Sequence, residues 1–174
     1  MTISILRTTD AWFVRNGNLA HRIRTAATST GELLADRAAI EAAAGSGDSE
    51  AVDVADLRLT SPVTRPCRVI AQMTNFESHV RDSGMDPKTT PLTFFRKSSA
   101  SITGPFDDIV KPSHVRFLDY EVEIGLVIGR DVAAGSSITE ANLAEVIAGL
   151  VVTNDVSARD QQRKGRSEEH TSEL

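Results

Sequence analysis

The sequence predicts an α+β protein in which β-structure predominates. Short extended segments recur between residues 3 and 153, and one of them alternates apolar and polar residues from 120 to 128. One Ala- and Leu-rich segment has the boundaries of a helix. The chain has 174 residues, of which 40% are hydrophobic and 25% charged, and this composition is typical of globular proteins. The longest apolar stretch, residues 146–152, is far shorter than a membrane span.

The N-terminal region predicts a β-hairpin followed by a helix. Two extended segments, ISIL and WFV, lead to the turn signal Asn16-Gly17-Asn18, after which residues 19–23 return as the partner strand. Ser29 and Glu32 have the spacing of a capping box. The segment LLADRAAIEAAAG that follows predicts one helix ending at Gly45.

The central region predicts two strands on either side of a short helical segment. Residues 68–72 and 93–96 have the apolar bias of short strands. Residues 75–84 predict a short helix or an ordered loop that ends at Gly84. Residues 98–114 contain a Gly-Pro pair and a further proline, and we expect them to be mostly loop.

The clearest strand covers residues 120–128, because its apolar side chains occupy every second position and therefore share one face. Thr139 is the expected N-cap of a helix that ends at Gly149. Residues 150–153 then predict a buried strand, which ends at Asn154-Asp155.

The charge and cysteine content exclude several classes of protein. Lys and Arg total 19 against 24 Asp and Glu, which gives a net charge of −5. A nucleic-acid or anionic-membrane surface would need clustered positive charge. Cys67 is the only cysteine, so the chain has no internal disulfide and no paired-cysteine zinc site. No apolar segment of signal-peptide length begins the chain. We therefore expect a cytoplasmic protein without nucleic-acid or membrane partners.

Carboxylates form the first candidate site. On one extended strand, Asp119, Glu121 and Glu123 would point away from the apolar row, and three carboxylates repel each other unless water or a cation neutralises them. The simpler interpretation is a solvated acidic face. Against it, the same face continues into Gly125, and Asp155 follows the next apolar strand directly. Converging carboxylates favour a hard divalent cation such as Mg²⁺ or Mn²⁺, whereas Zn²⁺ fits poorly without His or Cys nearby.

His79 and Asp82 form the second candidate site. In a helix these residues are three positions apart and can touch. A carboxylate that holds an imidazole orients it and raises its basicity, as a general base requires. A lone histidine in a surface turn is more often inert.

Five segments of the sequence, in this order, resemble the fumarylacetoacetate hydrolase family. They are SPV..P (61–66), IAQMTNFESH (70–79), P..FFRK..AS.TGP (91–105), DYEVEIGLVIGRD (119–131) and GLVVTNDVSARD (149–160). The resemblance implies a mixed β-sandwich roll. It further implies a small N-terminal α+β domain at residues 1–60 and the first part of the catalytic domain at residues 61–165. Active members of the family are typically homodimers.

The resemblance assigns roles to the candidate residues. It implies that Mg²⁺ or Mn²⁺, with Ca²⁺ as an alternative, is held by Glu121, Glu123 and Asp155. It implies that His79 activates water with help from Asp82, where related members commonly have Glu. Arg96 and Lys97 lie where the family places a basic substrate contact, and a solvated surface pair is the alternative. The sequence also departs from the family pattern at Phe76, where Tyr is usual, and at Met73, where Gly is common.

The resemblance implies a metal-dependent hydrolase that cleaves a C–C bond in a 1,3-diketo acid of the fumarylacetoacetate or acylpyruvate type. Decarboxylation of a 2-oxo acid and enol–keto isomerisation are alternatives on the same site. The second half of the family fold, which includes a catalytic lysine, should follow residue 160, and Lys164 is not assigned that role. Two further interpretations remain, an inactive and aggregation-prone incomplete roll and a metal-binding module without catalysis.

The last nine residues, RSEEHTSEL (166–174), match the translated start of a widely used short-read sequencing adapter. We expect this tail to be non-native and exclude its acidic residues and His170 as metal ligands. The tail holds one Arg and three Glu, so the other 165 residues carry a net charge of −3.

Overall fold

A computed structural model describes residues 2–47 and 50–162 of the chain. The strands are β1 Ser4–Arg7, β2 Trp12–Asn16, β3 Leu19–Ile23, β4 Val52–Asp53, β5 Val69–Gln72, β6 Phe94–Lys97, β7 Leu118–Asp119, β8 Val122–Ile128, β9 Ile147–Asn154 and β10 Ser157–Ala158. The helices are α1 Thr30–Ala35, α2 Arg37–Ala44, α3 Glu77–Asp82 and α4 Arg159–Gln162. The tail at residues 166–174 and Lys164 lie outside the described residues.

The first four strands form one antiparallel sheet in the order β1-β2-β3-β4. The predicted hairpin is confirmed, because β2 ends at Asn16 and β3 begins at Leu19. Gly17 between them has a φ of 60°, in the left-handed region that glycine enters without a steric penalty.

The Ala- and Leu-rich segment forms two helices instead of the single helix predicted, whereas the predicted end at Gly45 is confirmed, because Gly45 is the C-cap of α2. The capping box is confirmed, since the Ser29 side chain accepts from the backbone N of Glu32 while the Glu32 carboxylate accepts from the backbone N of Ser29. Asp36 interrupts the helix with a ψ of 58°. It ends α1 and also begins α2, because its side chain accepts from the Ala39 N–H.

The two helices pack on the N-terminal sheet and form a core with it. Its buried residues are Trp12, Val14, Ile23, Leu33, Ile40 and Ala43. The buried Trp12 indole N–H donates to the Ala27 carbonyl at 2.9 Å, so its polar edge is satisfied. This layer therefore has its own apolar core, while a domain boundary at residue 60 stays a prediction.

The central strands form an antiparallel pair, β5 with β6, in which Val69 lies opposite Lys97 and Gln72 opposite Phe94. Both strands and the helical segment at residues 75–84 are confirmed. The Asn75 side chain donates to the Thr93 carbonyl and accepts from its N–H, both at 2.9 Å. This exchange extends the ladder beyond its last backbone pair and fixes the entry to α3.

The longest ladder joins β8 to β9 in antiparallel register, from Val122 opposite Asn154 to Ile128 opposite Ile147. The prediction of a helix from Thr139 to Gly149 is wrong. Only a 3₁₀ turn forms, at residues 143–145, and residues 147–149 belong to β9. The long-range pairing with β8 outweighs the weak local helix signal, as it does for marginal helices in general.

The β8–β9 pair exposes its apolar side. Val122, Ile124, Leu126 and Ile128 are between 56% and 74% exposed, whereas Glu121 and Glu123 on the opposite side are only partly exposed. The interpretation of a solvated acidic face and the prediction of a buried strand at residues 150–153 are therefore wrong for this structure; Leu150 and Val152 belong to the exposed row.

In the part of the chain that the structure describes, none of the helices has the length and apolar composition needed to span a membrane.

Candidate functional site

The register of β8 and β9 brings two of the candidate carboxylates together. The Asp155 N–H donates to the Glu121 carbonyl at 2.8 Å, and the Glu121 N–H donates to the Asn154 side-chain oxygen at 3.1 Å. These two hydrogen bonds continue the β8–β9 ladder beyond its terminal residue pair, Val122 opposite Asn154. Glu121, just before β8, and Asp155, just after β9, are therefore fixed as neighbours although 34 positions separate them in sequence.

Lys97 at the end of β6 meets this group. Its ammonium forms an ion pair with Asp155 Oδ1, and the side chains are 27% and 10% exposed respectively. Burial lowers the pKa of Lys97, while the negative charges of Glu123 and Glu121 act to raise it.

Arg159 at the start of α4 provides a second positive charge. Its Nε donates to Asp119 Oδ2 at 2.9 Å, and its Nη2 pairs with Glu121 Oε1. The Ser157 hydroxyl donates to the same Glu121 oxygen at 3.2 Å. Hydrogen bonding from Arg159 lowers the pKa of Asp119, and the same bond raises the pKa of Arg159. The Glu121 side chain is thus oriented by two donors.

The prediction that Asp119, Glu121 and Glu123 share one strand is wrong, because β8 begins at Val122 and contains only Glu123. Asp119 belongs to β7, which pairs with β10 so that it lies opposite Ser157. The chain leaves β7 before Tyr120 and begins β8 at Val122. Arg159 nevertheless connects the Asp119 and Glu121 carboxylates across this break.

Sequence reasoning missed Arg159 and Ser157 as members of the site. The signal was present, because residues 155, 157 and 159 alternate along an extended segment and can face one side. Asp160 next to them has a structural contact: its carboxylate accepts from the backbone N–H groups of Arg116 and Phe117 at 3.1 and 3.3 Å. These hydrogen bonds lower its pKa, the one from Arg116 most.

The donor chemistry of this cluster fits a hard divalent cation. Carboxylate oxygens are the ligands that Mg²⁺ and Mn²⁺ prefer, and the strand register brings Glu121 beside Asp155, whose carboxylate pairs with Lys97. As arranged here, no three His, Cys, Asp or Glu side chains among residues 2–47 and 50–162 form a group closed enough to hold a metal ion. The positive partners of the carboxylates are Lys97 and Arg159.

The structure does not bring His79 and Asp82 together. Both lie on α3 and are exposed, and within the described residues neither side chain has a hydrogen bond or ion pair to the other. The ion pair of this helix joins Glu77 to Arg81 at 2.7 Å. The general-base role of His79 stays a prediction.

Arg96 and Lys97 have different surroundings, because neighbours on a strand point to opposite faces. Arg96 is exposed, and Lys97 is the one that reaches the carboxylates. A substrate contact from Arg96 therefore stays a prediction without a structural partner in the described part of the chain.

A family model described as fumarylacetoacetate (FAA) hydrolase C-terminal matches residues 68–172, more than half of the chain. The chain belongs to the fumarylacetoacetate hydrolase family. The family comprises hydrolases, isomerases and tautomerases, and its enzymes generally depend on a divalent metal ion. The matched region contains all seven candidate site residues and the missed Arg159.

A curated relative is the mitochondrial oxaloacetate tautomerase Fahd2a of Rattus norvegicus, which is 38% identical over 107 residues. The match covers 61% of this chain and 33% of the relative, so the chain spans about a third of the length of the curated relatives it matches. Since the name places that relative in the mitochondrion, a cytoplasmic location for this chain stays a prediction.

Solved structures confirm the predicted fold class. The fumarylacetoacetate hydrolase of Exiguobacterium antarcticum superposes with a TM-score of 0.68 at 24% identity, over 94% of this chain and 59% of that one. The 5-carboxymethyl-2-hydroxymuconate delta-isomerase of Mycobacterium smegmatis superposes with a TM-score of 0.61 at 27% identity, over 99% of this chain and 63% of that one.

Proposed function

We propose that this chain contributes a divalent-metal site for enol–keto isomerisation of a small 2-oxo acid. The observation that carries the proposal is the strand register that fixes Glu121 beside Asp155, with Lys97 bound to Asp155 and Glu123 following two positions after Glu121. Two similarities favour isomerisation: the rat relative is named an oxaloacetate tautomerase, and the Mycobacterium smegmatis structure is named a hydroxymuconate isomerase. We further propose that the enzyme acts as a homodimer.

The metal ion would be held by Glu121, Glu123 and Asp155 and would supply positive charge where negative charge develops on the substrate's enol oxygen. The chain's own residues do the rest. Arg159 and Ser157 hold the Glu121 carboxylate in place through their hydrogen bonds. Lys97 supplies a fixed positive charge beside the ligands, suited to a substrate carboxylate.

Isomerisation of the enol to the keto form needs no further reactant. One proton leaves the enol oxygen and one proton is added to the neighbouring carbon. Hydrolytic C–C cleavage of a 1,3-diketo acid needs in addition a base that activates water. His79 is the proposed base, and within the described residues its exposed side chain makes no hydrogen bond or ion pair with these carboxylates. Isomerisation does not require a water-activating base beside the carboxylates, so the observed geometry supports it better than hydrolysis. Hydrolysis is the competing reaction to assay.

The test measures Mn²⁺ binding by calorimetry and the decay of enol oxaloacetate by ultraviolet absorbance, for the chain and for Glu123→Gln. We expect Glu123→Gln to weaken Mn²⁺ binding at least tenfold and to abolish the metal-dependent rate. Glu140→Gln is the matched control, since Glu140 is exposed and lies on the loop before β9. Unchanged Mn²⁺ affinity in Glu123→Gln contradicts the proposal. Release of pyruvate from an acylpyruvate would instead assign hydrolysis.

A second candidate is that the chain alone is an inactive scaffold. It is favoured by the exposed apolar row of β8 and β9, because contiguous apolar strand surface drives association. We expect concentration-dependent association in sedimentation velocity experiments. A monomer that melts cooperatively and shows Mg²⁺-dependent turnover would contradict this candidate.

A further inference from the structure

The β8–β9 pair carries an apolar face that stays largely exposed to solvent. Six side chains between 56% and 76% exposed form this β8–β9 apolar face, namely Val122, Ile124, Leu126, Ile128, Leu150 and Val152. The register sets Ile124 opposite Val152 and Leu126 opposite Leu150, so the two strands contribute to one continuous surface. Contiguous apolar surface of this kind marks a site of protein association.

None of the six side chains of the β8–β9 apolar face is charged, although the chain carries a net charge of −5. The glutamate of the same strand, Glu123, lies on the opposite side, because side chains alternate along a strand. Charged residues are depleted at the core of protein interfaces, since they lose their water there. Two copies of the chain can therefore meet through this face without burying a charge from these six positions.

The area of the face is sufficient for a dimer. Complete burial of an aliphatic side chain of this size removes on the order of 100 Å² of apolar surface. At the observed exposures the six side chains offer about 400 Å² per copy, so two copies would bury about 800 Å² of apolar surface. Apolar area makes up about 65% of homodimer interfaces, so the whole interface would measure about 1,200 Å², the lower end of the range for stable complexes.

We propose that the β8–β9 apolar face binds the same face of a second copy and that the assembly closes as a dimer. Two antiparallel layers can stack in this way, as the two sheets of a β-sandwich do. The contact is isologous, so each face is covered by the other and neither is left to add a third copy. The inference rests on the proposed homodimer, for which it supplies the surface and the stoichiometry, and it needs no metal ion.

The test measures the dissociation constant of the dimer by sedimentation equilibrium over a concentration series, in the presence of a chelator. The unmodified chain should show a monomer–dimer equilibrium. Leu126→Lys brings an ammonium from each copy into the contact and should weaken the dimer at least one-hundredfold. Leu92→Lys is the matched control, because Leu92 is 72% exposed and lies just before β6, outside this face. It should dimerise like the unmodified chain.

Leu126→Thr, which suits a strand, replaces Leu126→Lys if circular dichroism shows that the lysine variant does not fold, and it should weaken the dimer about tenfold. Raising the salt concentration should leave the dimer intact, because salt does not screen an apolar contact. Dissociation by salt would assign the contact to charged residues and overturn the inference.

The remaining outcomes separate this inference from the proposed function. A monomer at every concentration overturns the inference and the homodimer together, and species that grow beyond two copies overturn the closed dimer. Equal dissociation constants for Leu126→Lys and Leu92→Lys overturn the surface while the homodimer stands. Because the chelator keeps metal out of this experiment, none of these results bears on Mn²⁺ binding, which its own titration decides.

Discussion

Replacing Gly129 by alanine tests how closely the two strands of the longest hairpin approach each other. Gly129 follows β8 directly, and its N–H donates to the Val146 carbonyl at 2.8 Å. A Cβ at this position would lie 2.6 Å from the Ala148 Cβ and 3.3 Å from the Ala148 Cα. The pairing register shifts between Val127 and Ile128, just before this close approach.

The expected cost follows from these distances. Carbon atoms in contact prefer a separation of about 3.5–4.0 Å, so the methyl group requires the strands to separate by about 1 Å at this point. The atoms in the way belong to the backbone and to a Cβ, which cannot rotate aside. Overpacking of this kind costs about 1–3 kcal/mol. For a chain of this size the melting temperature should then fall by roughly 2–12 °C.

The assay is thermal unfolding of Gly129→Ala followed by circular dichroism, with Gly149→Ala as the control. Gly149 lies in β9 of the same hairpin, and a Cβ there would meet no atom within 4 Å. Alanine also loses less backbone entropy than glycine on folding, so the control should melt at the original temperature or slightly above it. If Gly129→Ala melts together with Gly149→Ala, the close approach of the strands is refuted.

Three further changes probe other parts of the molecule. Leu33→Ala should lower the free energy of unfolding by about 2–5 kcal/mol, because Leu33 is 1% exposed in the N-terminal core. Urea unfolding followed by the fluorescence of Trp12, the single tryptophan, measures this loss. As a control, Leu34→Ala should cost clearly less, because Leu34 is only half-buried. Asp160→Asn should reduce the dependence of stability on acid pH: the folded-state pKa of Asp160 is lowered by two backbone hydrogen bonds, so the aspartate stabilises the fold above its unfolded-state pKa and loses this effect as pH falls through the folded-state pKa. If the melting temperatures of Asp160→Asn and the unmodified chain fall equally as the pH is lowered, the stabilising role of the Asp160 carboxylate is contradicted. Ser29→Ala should cost about 1 kcal/mol by removing the cap of α1, and an unchanged urea midpoint would exclude that role.

Local signals predicted the elements whose structure is decided locally. The turn at Gly17 and the cap at Ser29 depend on a few neighbouring residues, and both form as expected. The helix ending at Gly149 depended on a weak local preference, and pairing with β8 converts its last residues to strand. Asp36 lies inside the segment predicted as one helix, and its side chain, which suits a cap, divides that segment into two.

The site was predictable in its residue types and much less in its contacts. The carboxylates Glu121 and Asp155 could be named from the motifs, but their hydrogen-bonded backbones follow from a register that no local pattern specifies. The exposed side of β8 could not be read from its alternation either, because a two-residue period separates two faces without saying which one is covered. Lys97 was named as a substrate contact, and its ion pair with Asp155 requires two sheets to meet.

The charge balance of the cluster connects its structure to its proposed chemistry. The charged side chains of the described cluster are the four carboxylates of Asp119, Glu121, Glu123 and Asp155 and the two cations Lys97 and Arg159. Two negative charges are therefore left without a partner inside the cluster. A divalent cation carries the charge that balances them, which a third lysine or a monovalent ion would not. A substrate carboxylate would add negative charge to this neutral set, and Lys97, which bonds one carboxylate where Arg159 bonds two, is the cation proposed to meet it.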